Sequence, residues 1–174
     1  ASCTDPTAYY TKKRTEYHAI ARHLTTAPNA CFDSASMHQI QIDIQRTPSI
    51  APEHHTEICR LLYVWAVRHP ASGYVQGIND LVVPFYWVFF VDGEGDGEGA
   101  RSAEDAEADV YWCLDRLLSN LQDNYTVGQS GIFRKIGDLR MIIAQTHPQL
   151  ARHLDAQGVD YNAFAFRWLN CLLV

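Results

Sequence analysis

Apolar positions recur along most of this chain with the roughly 3.6-residue period of helices that bury one face. Tyr17, Ile20, Ala21 and Leu24 share such a face behind the basic run Lys12, Lys13 and Arg14, and Pro28 and Asn29 end that helix. Asp33 or Ser34 can cap a short helix running to about His38. Then the pattern changes: Ile40, Ile42 and Ile44 alternate with Gln41, Asp43 and Gln45, which is a strand signal. No second convincing strand exists to pair with it, and a lone strand would leave its backbone groups unpaired. The expectation is therefore an extended segment leaving a helix, with the isoleucines anchoring it in the core. Pro48 turns Thr47 away from helical geometry, which places Arg46 on irregular backbone between helices.

Pro52 suits the first turn of the next helix, and Ile58, Leu61, Leu62 and Trp65 predict that it buries one face. Pro70 lies past its end, and Ala71, Ser72 and Gly73 make a turn. A further helix is expected to begin near Tyr74 to Gln76 and to run through Leu81, Phe85, Val88 and Phe89, bent at Pro84. It is apolar nearly all round, so it is expected to be the central buried helix. A flexible acidic, glycine-rich insertion follows at about 92–103. Ser102 and Asp105 form a capping box for a helix carrying Val110, Leu114, Leu117, Leu118 and Leu121. Ile132, Ile136, Leu139 and Ile143 define the next helix, which stops before Pro148. Leu150 and Leu154 mark a short one, for which Gly158 suits the C-terminal cap. The stretch from Tyr161 to Val174 is heavily apolar and lacks a stop signal. The predicted fold is all-α with no sheet, in a single domain spanning 1–174.

Composition narrows the class. An apolar fraction of 47% and a charged fraction of 20% are those of an ordinary globular protein. The net charge is −6 and the basic residues are scattered, which argues against a nucleic-acid partner. The most apolar run, Leu81 to Val91, is interrupted by Pro84 and is too short to span a bilayer, so no direct membrane insertion is expected. The five cysteines are widely spaced and form no Cys-x-x-Cys pair, as in a reduced cytoplasmic protein. The eight histidines form no metal-binding set. Trp65, Trp112 and Trp168 fall in helical apolar patterns and read as core.

Candidate chemistry concentrates between Ile40 and Asp80. Arg46 and Gln76 cannot act as nucleophile or general base at neutral pH. They can stabilise anionic charge and orient a water, which is what phosphoryl transfer to water requires. The plain alternatives are a surface arginine, or one paired with Asp43, and a polar helix-start glutamine. Asp43 orients Arg46 or ties down the loop, while Tyr74 and Asn79 shape it. Gly73 and Gly77 allow close approach of backbone or partner. No GxxxxGK[ST] loop is present, so a nucleotide would arrive bound to a partner.

The spacings Ile40-x-x-Asp43-x-x-Arg46 and Tyr74-x-Gln76 resemble the two signature motifs of the TBC domain, the GTPase-activating domain for Rab GTPases. The longer stretches 68–80, 122–126 and 164–168 are similar to the branch of that family associated with Golgi Rabs. The resemblance implies an irregular all-helical fold and a Rab-family small GTPase as partner. It implies an arginine finger at Arg46 and a glutamine finger at Gln76, supplied in trans, with Ile40, Asp43, Tyr74, Gly77 and Asn79 in support. The chain would need no cofactor of its own, because GTP and Mg2+ belong to the bound GTPase. It implies a cytoplasmic protein, peripheral at the Golgi or transport vesicles. The resemblance also implies a domain cut at both ends, lacking a first segment before Ala1 and helices after Val174. Exposed helical surface is then expected to drive self-association. A TBC-like Rab-binding or scaffold module without activity stands as the alternative.

Overall fold

The computed structural model of the chain describes residues 5–26, 34–93, 102–126 and 128–173. The described residues form eight α-helices and no strand. They are α1 (Pro6–Thr26), α2 (Ser34–Gln45), α3 (His55–Arg68), α4 (Ile78–Tyr86), α5 (Ala103–Ser119), α6 (Ser130–Thr146), α7 (Pro148–Ala156) and α8 (Tyr161–Asn170). Short 3-10 turns occupy Pro52–His54 and Gln122–Asn124, and a π turn occupies Trp87–Val91. The breaks read at Pro28 and Asn29, and positions 94–101 of the insertion read at 92–103, lie outside the described residues. The chain divides into two compact units, Ala1–Asn120 and Leu121–Val174.

The first unit is built on α3, which packs against α1, α2 and α5. Its residues Leu61 to Ala66 are all buried, so α3 is apolar on every side through its middle. The helix expected to hold that central place is more exposed. Trp87 and Val88 are 48% and 53% exposed, and only Phe90 of the π turn is buried. Pro84 inside α4 lacks the N–H that the preceding turn would use. The chain then widens into the π turn, closed by Asp92 N–H to the carbonyl of Trp87 at 2.9 Å.

The largest correction concerns residues 40–45, which are helical. Ile40, Asp43, Ile44 and Thr47 are buried at helical spacing, and Ile42 is only half-buried. Ile40 and Ile44 lie one turn apart, so they satisfy a helical period as well as an alternating one. Packing along α3 decides between the two readings.

One buried charge cluster links three helices of this unit. Glu107 of α5 is 1% exposed, accepts from Arg60 Nε of α3 at 2.8 Å and from the second guanidinium nitrogen, and receives the Tyr17 hydroxyl of α1. Burial, then the charge of Glu107, pushes the Tyr17 phenol above its ordinary value. At the N-terminus of α5, Ser102 accepts from Asp105 N–H at 3.1 Å, the forward half of the expected capping box.

The second unit has a core of Ile132, Ile136, Tyr161 and Ala165, flanked by Leu139, Ile143 and Leu154. Helix α7 ends in a Schellman turn: Val159 N–H reaches the Leu154 carbonyl at 3.0 Å and Gly158 N–H that of Asp155 at 3.1 Å, with Gly158 at φ +66°. Helix α8 stops at Asn170, and Leu172 and Leu173 adopt positive φ. Trp168, expected in the core, is 52% exposed, and Trp112 is half-buried with its indole N–H donating to the Lys13 carbonyl at 2.8 Å.

Candidate functional site

The first unit brings the end of α2 against the loop that joins α3 to α4. Arg46 follows the last residue of α2 and is exposed. Its N–H still bonds the Asp43 carbonyl at 3.1 Å, so it leaves the final helical turn rather than an extended segment. Thr47 N–H then closes on Ile44 at 3.0 Å, and the helix cannot pass Pro48. One turn earlier, Ile40 is fully buried and seats α2 in the core.

Asp43 is 3% exposed. Its carboxylate accepts from Gln39 Nε2 at 3.1 Å and from the Tyr74 hydroxyl at 2.9 Å. Among the described residues it forms no ion pair with Arg46, and its bond from Tyr74 runs across to the loop of Gln76. Burial, then the charge of Asp43, raises the Tyr74 phenol above its ordinary value.

Gln76 is exposed in a turn, two residues before α4 begins at Ile78, so it precedes the helix start expected for it. Gly77 occupies the N-cap at φ +105°, a conformation that a side chain would strain. Its N–H is taken by Asn79 Oδ1 at 3.0 Å. Asn79 is 7% exposed and its amide donates to Thr47 Oγ1 at 3.1 Å, while the Thr47 hydroxyl donates to the Asp43 carbonyl at 2.8 Å. The Tyr74 hydroxyl also lies 3.3 Å from Asn79 Oδ1. Gly73, at φ +62° with open space around its α-carbon, sets the direction in which the chain enters Tyr74.

Arg46 is thus bracketed by Asp43 and Thr47, and Gln76 by Tyr74 and Asn79. The brackets are bonded to each other through two side-chain hydrogen bonds between residues 31 and 32 positions apart. Such a frame holds the two exposed side chains on one support. A guanidinium offers a fixed positive charge with forked donors, and an amide offers a donor and an acceptor. Together they can bind developing negative charge and orient a water.

Thr47 was not singled out in the sequence. Its signal is helical spacing from Asp43, which an extended segment at 40–45 would hide. His69 was also missed: its carbonyl receives the N–H groups of Ser72 and Gly73 at 3.0 and 2.7 Å, at the root of the Gln76 loop.

Comparison with known proteins gives this site a context. The GTPase-activating protein gyp1 of Schizosaccharomyces pombe is 42% identical over 186 residues, covering 94% of this chain and 35% of its own. Human TBC1 domain family member 22A is 42% identical over 179 residues, covering 94% of this chain and 34% of its own. The chain therefore spans about a third of the length of these relatives. The crystal structure of the Ypt/Rab-GAP domain of Gyp1p superposes with a TM-score of 0.84 at 37% identity, over 96% of this chain and 57% of that one. The model of the Rab-GTPase-TBC domain matches residues 5–174, and with that coverage the chain belongs to the Rab-GTPase-TBC domain family.

Proposed function

We propose that this chain is a GTPase-activating module that accelerates GTP hydrolysis by a Rab-family small GTPase, with Arg46 and Gln76 as fingers supplied in trans. The observation that carries the reading is the cross-bonded frame, Tyr74 to Asp43 and Asn79 to Thr47, which keeps an exposed arginine and an exposed glutamine on neighbouring segments. The names of the relatives, a GTPase-activating protein and a Ypt/Rab-GAP domain, support it.

In this reading the Arg46 guanidinium neutralises charge building on the transferring phosphoryl group. Gln76 orients the attacking water through its amide. The rigid frame matters because a finger that must order itself at the transition state loses part of its effect to entropy. Asp43, Tyr74, Thr47 and Asn79 hold the fingers and do not touch the reacting atoms. GTP and Mg2+ come with the GTPase, and the chain needs no cofactor of its own. Similarity of the stretches 68–80, 122–126 and 164–168 to the Golgi-associated branch supports work at the Golgi or transport vesicles, reached through partners. No helix among the described residues is long and apolar enough to cross a membrane.

The test is single-turnover hydrolysis across a panel of GTP-loaded Rab GTPases, with binding measured in parallel. Arg46→Ala should remove most of the acceleration, since an arginine supplied in trans is worth about 10³–10⁵ in rate. Arg46→Lys should rescue little, because an ammonium lacks the planar fork. Gln76→Ala should lower the rate by less. Binding should survive all three changes. Acceleration that persists in Arg46→Ala would refute the arginine finger, and binding without acceleration by the wild-type chain would favour a scaffold.

A further inference from the structure

The loop that carries Gln76 is rooted at a histidine which takes no part in the frame described above. His69 follows α3, and its imidazole is bonded and stacked on that helix. Nδ1 lies 2.8 Å from the Trp65 carbonyl. A carbonyl only accepts, so this nitrogen carries the proton. Nε2 faces Asp115 Oδ1 of α5 at 3.4 Å, a pairing that needs a second proton on the ring because a carboxylate only accepts. The ring stacks on the Trp65 indole, with centroids 4.4 Å apart and an interplanar angle of 18°. Trp65 is 3% exposed and belongs to the core.

The backbone of the same residue starts the loop. The His69 carbonyl receives Ser72 N–H at 3.0 Å and Gly73 N–H at 2.7 Å. Gly73 leads directly into Tyr74, whose hydroxyl closes on Asp43. The segment 69–79 is therefore fixed at its start by the His69 ring and carbonyl, and again at Tyr74 and Asn79 on either side of Gln76. Release at the start of the segment would leave the entry to Gln76 resting on Tyr74 alone. Misplacement by about 1 Å can cost about a hundredfold in rate.

We infer that His69, bonded to the Trp65 carbonyl, stacked on the Trp65 indole and paired with Asp115 when its ring carries both protons, is a positioning residue for the Gln76 loop in GTPase activation. It orders the loop from α3 and α5 and contacts neither nucleotide nor water. The inference rests on the function proposed above, so its test includes a readout that does not depend on hydrolysis.

The full chain is compared with His69→Ala, Asp115→Ala and the double variant. Amide hydrogen exchange is followed at Ser72 and Gly73, and hydrolysis is measured on whichever Rab GTPase the wild-type chain accelerates most. His69→Ala should speed exchange at Gly73 about tenfold, the worth of one or two hydrogen bonds. It should lower kcat about tenfold or more while leaving KM near its wild-type value. Asp115→Ala leaves α3 and the loop sequence intact, so it should give the same two changes in smaller measure. The double variant should add little to His69→Ala, because Asp115 acts through the ring. A general loss of fold would instead speed exchange throughout α3 as much as at Gly73, which would overturn the inference. Unchanged Gly73 exchange in His69→Ala would overturn it too, as would faster exchange with unchanged kcat. If the wild-type chain accelerates no GTPase, the proposed function fails. Faster Gly73 exchange in both single variants then still supports His69 as the clamp of the loop.

Discussion

Replacing Tyr74 with phenylalanine removes one oxygen and tests the frame directly. The ring still packs, but the 2.9 Å bond to the Asp43 carboxylate is gone. Asp43 is 3% exposed, so water can barely take the place of the hydroxyl, and the carboxylate keeps Gln39 Nε2 at 3.1 Å as its remaining side-chain donor. A hydrogen bond to a charged group is worth about 1.5–3 kcal/mol, and the donor that Asp43 keeps places this loss in the middle of that range. Tyr74→Phe should therefore destabilise the chain by about 2 kcal/mol in urea denaturation, with an unchanged slope. The same change frees the loop at its Arg46 side. Single-turnover hydrolysis should fall about tenfold or more, through kcat, because a loosened finger loses alignment before it loses binding. Asp43→Asn keeps an acceptor but not the charge, so it should cost less, and the double variant should fall short of the sum of the two singles by about 1 kcal/mol. A stability loss below about 0.5 kcal/mol in Tyr74→Phe would refute the claim that this bond holds the frame. A full loss of stability with undiminished hydrolysis would show that the frame serves the fold alone.

Other consequences can be checked independently. Gly77→Ala places a side chain at φ +105° beside the buried Asn79 amide bond, and should cost about 1–3 kcal/mol in thermal or urea unfolding while slowing hydrolysis. Stability should also fall as pH rises past about 10. Burial raises the phenols of Tyr17, Tyr74, Tyr111 and Tyr125, so the unfolded chain loses these protons first and binds fewer than the folded one. Urea titrations at pH 8 to 11 should show that decline, and flat stability would contradict it. Leu61→Ala, at a fully buried position of α3, should cost about 2–5 kcal/mol, whereas the half-exposed Trp168 should tolerate alanine at a clearly smaller cost.

What the amino-acid order determined by itself was local. The 3.6-residue spacing of Leu61, Leu62 and Trp65, of Val110 and Leu114, and of Ile132 and Ile136 marked α3, α5 and α6. Ser102 and Gly158 marked helix ends through capping chemistry that acts within a few residues. The motif spacings around Arg46 and Gln76 carried the family. Tertiary structure decided everything that needed a distant partner. Ile40 and Ile44 fit two periods, and contact with α3 selected the helix, which in turn brought Thr47 into the frame with Asp43. Glu107 sits on an otherwise amphipathic helix and is buried only because Tyr17 and Arg60, far away in the chain, supply its hydrogen bonds. Trp168 follows a core-like pattern yet stays exposed, because periodicity names a face without naming what covers it. The same reason hid the Tyr74–Asp43 and Asn79–Thr47 bonds: residues that each read as an ordinary polar loop position become a frame only when packing brings them within hydrogen-bond reach.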